Sequence, residues 1–126
     1  MKTPILLDSN IIIYTTNPEY GFLFEKLKPY QLSASKVSVI EVLGFHQLEP
    51  IDKTEYELFF NEIQLYDIDD KIIQKATEFR QAKKMSLGDA IILATAVIYQ
   101  LPLMTRNSKD FEWIDDLTII NPFNVQ

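Results

Sequence analysis

Three acidic residues interrupt apolar stretches of this sequence. Asp8 ends the run Pro4-Ile5-Leu6-Leu7, Glu41 lies inside Val37-Ser38-Val39-Ile40-Glu41-Val42-Leu43, and Asp89 lies inside Leu87-Gly88-Asp89-Ala90-Ile91-Ile92-Leu93. An unpaired carboxylate in apolar surroundings costs several kcal/mol, so such a group is usually paired, protonated or bound to a metal. None of the three has a Lys or Arg three or four residues away, the reach of a helical ion pair. Convergence on a divalent cation is the economical explanation. Oxygen-only ligation suits Mg²⁺ or Mn²⁺, which take one or two carboxylates each and retain waters. A pair of such ions about 4 Å apart activates a water and stabilises the leaving oxygen in phosphodiester hydrolysis.

A fourth oxygen is available in Thr105-Arg106-Asn107-Ser108-Lys109-Asp110-Phe111, from either Asp110 or Asn107. Asp110 brings charge; Asn107 lies nearer the preceding strand but is neutral. An ion pair with Arg106, four residues earlier, is the competing explanation for Asp110. His46, the single histidine, lies one turn beyond Glu41 and is left outside the site.

The elements that must position these residues follow from periodicity. Residues 4–7 read as a buried strand, with Ser9 or Asn10 capping the helix that follows. Residues 19–27 carry Tyr20, Leu23, Phe24 and Leu27 at helical spacing, ended by Pro29. Residues 31–37 read as a second strand. A helix from the cap Ser38 to about Leu48 would place Glu41 in its first turn, with Pro50 closing the segment. Residues 52–64 form a helix with Tyr56, Phe59, Phe60 and Ile63 inward, and 65–68 a third strand. Asp69 or Asp70 caps a helix to about Lys83, with Ile72, Ile73, Ala76 and Phe79 inward. Ser86 opens an apolar helix to about Gln100, residues 101–105 form a fourth strand, 106–113 a loop or short helix, and 117–120 a last strand. Short apolar strands alternating with helices predict an α/β fold, a parallel sheet with helices on both faces. In such sheets ligands bind beyond the carboxyl ends of the strands. Asp8 ends the first strand, and the helix N-termini assigned to Glu41 and Asp89 favour ionised carboxylates.

Composition narrows the alternatives. The 126 residues suit one domain spanning 1–126. With no cysteine there is no disulfide, thiolate site or cysteine nucleophile, and the start of the chain lacks a signal-peptide pattern; a cytoplasmic protein without a membrane segment is expected. The net charge of −6 opposes a general grip on phosphate backbones. Bound cations reverse that sign locally, and Lys71, Lys75, Arg80, Lys83 and Lys84 cluster in one stretch, with Arg106 and Lys109 further on. A solvated helix face is the plain explanation of the cluster. Arg106 and Lys109 are candidates for steering a phosphate backbone. No Ser-His-Asp arrangement or phosphate-cradling glycine loop is present. A phosphatase using Asp8 as nucleophile would want an acid where Asn10 stands, and a phosphoacceptor domain would want acids before Asp8, where the residues are apolar.

The sequence resembles the PIN-domain nucleases, and within them the small VapC-like toxins of bacterial and archaeal toxin–antitoxin pairs. The resemblance rests on Leu6-Leu7-Asp8-Ser9-Asn10, Ser38-Val39-Ile40-Glu41, Gly88-Asp89-Ala90 and the 105–111 segment, in the family's order and approximate spacing across nearly the whole chain. It implies a Rossmann-like PIN fold and a metal-dependent ribonuclease. Asp8, Glu41 and Asp89 would be acidic ligands, with Asp110 or Asn107 as the fourth group. Ser9 and Asn10 would hold Asp8, and Thr105 would orient the carboxylates. Where many relatives carry an acid in the last loop this chain has Asn107, as in one subclass, which leaves one or two metals open. The resemblance also implies a homodimer and a cognate antitoxin lodged near the early helices, where Tyr20, Phe22, Phe24, Tyr56, Phe59 and Phe60 are candidate contacts. The alternative is a non-catalytic PIN-like module that acts through a protein partner.

Overall fold

Five parallel strands in the order β3-β2-β1-β4-β5 form the centre of the computed structural model, which describes residues 1–124. β1 (Thr3–Leu7) lies between β2 (Tyr30–Ser35) and β4 (Leu103–Met104), with β3 (Gln64–Tyr66) and β5 (Ile119–Ile120) at the edges. Alternate side chains of a strand point to opposite faces. Leu6 and Leu103 accordingly join one core with Ile72 and Phe79 of α5 (Asp70–Ala82) and Ala90, Ile92 and Leu93 of α6 (Leu87–Ile98). Ile5, Leu7 and Met104 join the other, with Ile11 and Ile12 of α1 (Ser9–Tyr14) and Tyr56 and Phe60 of α4 (Pro50–Glu62). Each fully buried Leu or Ile contributes about 1.5–3 kcal/mol. A one-residue slip of β1 would exchange the two sets, so register is tightly specified.

The chain reverses its direction of travel across the sheet between β1 and β4, and that break is where open α/β sheets bind ligands. The backbone continues the ladder there, Asp8 N–H donating to Met104 O at 2.9 Å and Thr105 N–H to Ile120 O at 3.0 Å. Asp8 and Thr105 thus emerge side by side at the carboxyl edge.

Several boundaries differ from those expected. Asp8 itself caps α1, accepting from Ser9 N–H, in place of Ser9 or Asn10. β2 ends at Ser35, short of the expected residue 37; Ser33 pairs with both β1 and β3, and Ala34 and Ser35 with β3. Ser35 therefore caps α3 (Lys36–Leu43), accepting from Val37 N–H at 3.1 Å, and Ser38 is interior to the helix. Glu41 falls in the second turn, beyond the reach of the terminal dipole. α3 stops at Gly44, where a Cβ would meet the Ile40 carbonyl. Pro50 opens α4 rather than closing α3, because its missing N–H costs nothing at the first helical position. The helix expected over 19–27 is a 3₁₀ turn, Pro18–Tyr20, followed by α2 (Leu23–Leu27): Tyr20 packs on Tyr14 and Phe123 while Leu23 and Leu27 are buried. Ile73 of α5 is exposed, not inward. Asp69 and Ser86 cap α5 and α6 as expected. Among the described residues, no helix is long and apolar enough to cross a membrane.

Candidate active site

Asp8 is the buried centre of the site, 4% exposed, where a charge is hard to solvate. Each carboxylate oxygen accepts one hydrogen bond. Ser9 N–H donates to Oδ1 at 2.8 Å, and the Thr105 hydroxyl donates to Oδ2 at 2.6 Å, joining the ends of β1 and β4. Thr105, fully buried, also accepts from Asn107 N–H at 3.0 Å, so one hydroxyl orients Asp8 and starts the 105–110 loop. Burial nonetheless pushes the Asp8 carboxyl from 3.8 to about 6; Asp89 and Glu41 add to the rise by like charge, while the two hydrogen bonds oppose it.

Glu41 is tied to Asp8 through the next residue. Ser9 Oγ lies 2.6 Å from Glu41 Oε1 and 2.8 Å from Ser38 Oγ. With one hydroxyl hydrogen, Ser9 donates to the carboxylate, and Ser38 supplies the hydrogen between the two hydroxyls. The Glu41 carboxylate also rests on Gly88, where a Cβ would collide with it. Gly88 was missed as a site residue. Its signal was a glycine inside an otherwise apolar helix, which costs about 1 kcal/mol against alanine and asks for a reason. Ser38 was misjudged as a cap for want of the strand's true end.

Asp89 stands in the first turn of α6, half-buried, with its N–H donating to the Ser86 hydroxyl at 3.1 Å. Burial raises its carboxyl above the ordinary range, and the charges of Asp110 and Glu41 raise it further, against the Ser86 hydrogen bond. Asp110 thus belongs electrostatically to the same group. Its competing explanation fails: the ion pairs among the described residues are Lys28–Glu25, Lys36–Asp67 and Lys75–Glu78. The Arg106 guanidinium lies instead 4.2 Å from the Phe123 ring centre, near Tyr14 and Tyr20, and donates to Tyr20 Oη at 3.3 Å. Asn107 is exposed and Lys109 is exposed beside Asp110.

The premise of three buried acids holds only for Asp8. Asp89 is half-buried and Glu41 exposed, because the site is an open rim at the sheet edge rather than an internal cavity. No group of three acids or histidines among the described residues is drawn into a ready-made metal shell. The donor set still fits a hydrated divalent cation. It is all oxygen, its like charges raise the proton affinities of Asp8 and Asp89, and the buried Asn10 Oδ1 has no hydrogen-bond partner in the protein. Mg²⁺ and Mn²⁺ bind such open sets through a few direct carboxylates and retained waters.

Comparison with known proteins agrees with the architecture. The chain is 30% identical over 122 residues to a protein named ribonuclease VapC1 from Methanocaldococcus jannaschii, covering 88% of this chain and 81% of that one. A toxin–antitoxin complex from Klebsiella pneumoniae contains a chain of similar structure, with a TM-score of 0.77, 29% identity, and coverage of 96% of this chain and 99% of the other. VapBC2 from Rickettsia felis, at 21% identity and a TM-score of 0.76 over 94% and 98% of the two chains, shares the fold. The model of the PIN domain matches residues 5–117, nearly the full sheet and all four acidic positions, and this chain belongs to the PIN-domain family.

Proposed function

We propose that this chain is an endoribonuclease, the toxin of a toxin–antitoxin pair, and that it hydrolyses RNA phosphodiester bonds with Mg²⁺ or Mn²⁺. The observation that carries the reading is the meeting of Asp8, Glu41, Asp89 and Asp110, from four separate segments, at the carboxyl edge of the β1/β4 break. The name of the archaeal relative, a ribonuclease, supports the substrate class. Residues 1–126 are taken as one nuclease domain.

Asp8, Glu41, Asp89 and Asp110 would hold the metal, directly or through water. When bound, the cation lowers the pKa of a coordinated water and offsets charge building on the phosphate. Thr105 and Ser9 N–H fix the rotamer of Asp8, so its lone pairs need not reorganise. The Ser9 hydroxyl holds Glu41 against α6, and Gly88 leaves room for it. Asn10, expected to hold Asp8, is not bonded to it and would instead offer a free oxygen two residues on, Asn107 shapes the loop through Thr105, and Lys109 attracts the phosphate backbone. Arg106, engaged by the rings of Tyr14, Tyr20 and Phe123 and by the Tyr20 hydroxyl, braces the loop while its exposed edge faces RNA.

The similar chain from Klebsiella pneumoniae belongs to a toxin–antitoxin complex, which supports an antitoxin partner for this chain as well. Phe22 and Phe24 are exposed and suited to such a contact, whereas Tyr56 and Phe60 are core residues and withdraw from the candidate surface. A homodimer in the cytoplasm completes the reading. The test is cleavage of a mixed RNA pool by purified protein in Mg²⁺, Mn²⁺ or chelator, with Asp89→Asn alongside. Metal-dependent cutting that vanishes in the variant is expected. A folded, inhibitor-free protein that cuts with neither metal would favour the non-catalytic partner-binding module.

A further inference from the structure

The acids that make this site repel its substrate. The chain carries a net charge of −6, and protein affinity for nucleic acid comes mainly from cations placed on phosphates. Part of the rim must therefore be positive. Lys28, Lys36 and Lys75 are neutralised by Glu25, Asp67 and Glu78. Lys83 and Lys84 are exposed, and neither has a carboxylate within ion-pair reach among the described residues. Both sit in the turn between α5 and α6, immediately before the Ser86 cap and the first turn that carries Asp89.

The turn is connected to the acidic site by specific contacts. Lys83 Nζ lies 5.5 Å from the centre of the Trp113 ring, and the Trp113 indole N–H donates to the Asp110 carbonyl at 3.1 Å. One aromatic side chain thus separates the Lys83 ammonium from the Asp110 backbone. Trp113 packs edge-on against Phe79 at 5.6 Å, and Arg80 Nε donates to Met85 O at 3.3 Å. Two contacts hold the turn in shape while its two ammonium groups stay in water. A lysine over an indole keeps its charge and loses little of its freedom to bond an anion.

We propose that Lys83 and Lys84 form a phosphate-binding rim that receives the RNA backbone on the α6 side of the cleaved bond, with Trp113 setting its distance from Asp110. This rests on the ribonuclease reading. Lys109, next to Asp110 in the 108–110 turn, would add a further cation for the backbone. Phosphate contacts of this kind read no base, which suits selection of RNA by shape and accessibility at this step.

The experiment uses the full chain carrying Asp89→Asn, so that RNA is not cut, and follows binding of a labelled single-stranded RNA by fluorescence anisotropy. Lys83→Ala/Lys84→Ala should weaken binding, and Lys83→Arg/Lys84→Arg should restore it. Two lost phosphate contacts make the salt dependence shallower by about 1.4 in log–log slope, so the deficit shrinks about sevenfold between about 50 and 200 mM salt. Equal affinity in the alanine pair, or a deficit that ignores salt, overturns the rim. Should the alanine pair fail to fold, Lys84→Glu alone must give a salt-sensitive loss, and an unchanged affinity there is equally fatal. A parent chain that neither cuts nor binds RNA brings down the ribonuclease reading itself. A parent that cuts while the lysine variants bind normally removes only this proposal.

Discussion

Gly88→Ala separates the site from the fold more cleanly than removal of any acid. Gly88 is buried in the first turn of α6, and the atoms a new Cβ would meet all belong to the Glu41 carboxylate. No left-handed backbone is involved, so alanine brings no conformational strain. What must give is the end of a flexible, exposed side chain, which can swing outward. Alanine gains up to about 1 kcal/mol over glycine in a helix, and less near its end. Against that stands the Ser9–Glu41 hydrogen bond, worth about 1.5–3 kcal/mol as a buried bond to a charged group and less here, where Glu41 is exposed. The two effects nearly cancel, so the melting temperature should move by no more than about 4–8 °C either way. Activity has no such compensation. Displacing a positioned group by about 1 Å costs on the order of 100-fold in rate, or about 2.7 kcal/mol. The assay is thermal unfolding in chelator beside kcat/KM for RNA cleavage in Mn²⁺. Glu41→Asp shortens the acid and should remove the collision, so the double variant should be no worse than Glu41→Asp alone, a coupling that independent sites would not show. Full activity in a folded Gly88→Ala protein would refute the role given to Glu41. A collapse in stability would make Gly88 a packing residue.

Three further expectations concern the acids. The Asp8 carboxyl is raised in the folded protein, so its stability contribution is complete below 3.8 and is lost as pH climbs through about 6; the full difference is about 3 kcal/mol. Without metal, Asp8→Asn should therefore gain stability relative to the parent between pH 4 and 8 in urea unfolding, and a pH-independent difference would contradict the burial argument. Thr105→Val removes a bond that holds the Asp8 proton affinity down, so the acid limb of the cleavage pH profile should move to higher pH, while an unmoved limb would show that Thr105 does not tune Asp8. Asp110→Asn should cut the Mn²⁺-dependent rate on the order of tenfold or more and Asn107→Ala by clearly less; the reverse order in single-turnover rates would make the amide the fourth site group.

Much of this protein is legible in one dimension. The strand at 4–7 and its terminal Asp8, the Ser86 cap with Asp89 in the next turn, and the Asp69 cap of α5 are local signals, set by alternation and by side chains that bond their neighbouring N–H groups. Such signals need no partner from elsewhere, and they suffice to place Asp8 at a strand end and Asp89 at a helix start. The limits of β2 and α3 were not local. The strand expected over 31–37 ends at Ser35, where its pairing with Tyr66 of β3 stops, and only that limit makes Ser35 the cap and carries Glu41 into the second turn. The Arg106–Asp110 pair, reasonable by spacing, yields to an aromatic cluster assembled from residues 14, 20 and 123. The fit of Gly88 under Glu41 joins positions on two helices, and the Thr105–Asp8 bond spans the break between β1 and β4. Sequence determined which groups could do chemistry and at which edge. Long-range packing alone decided which are buried, which share charge, and which small residue makes room for an acid.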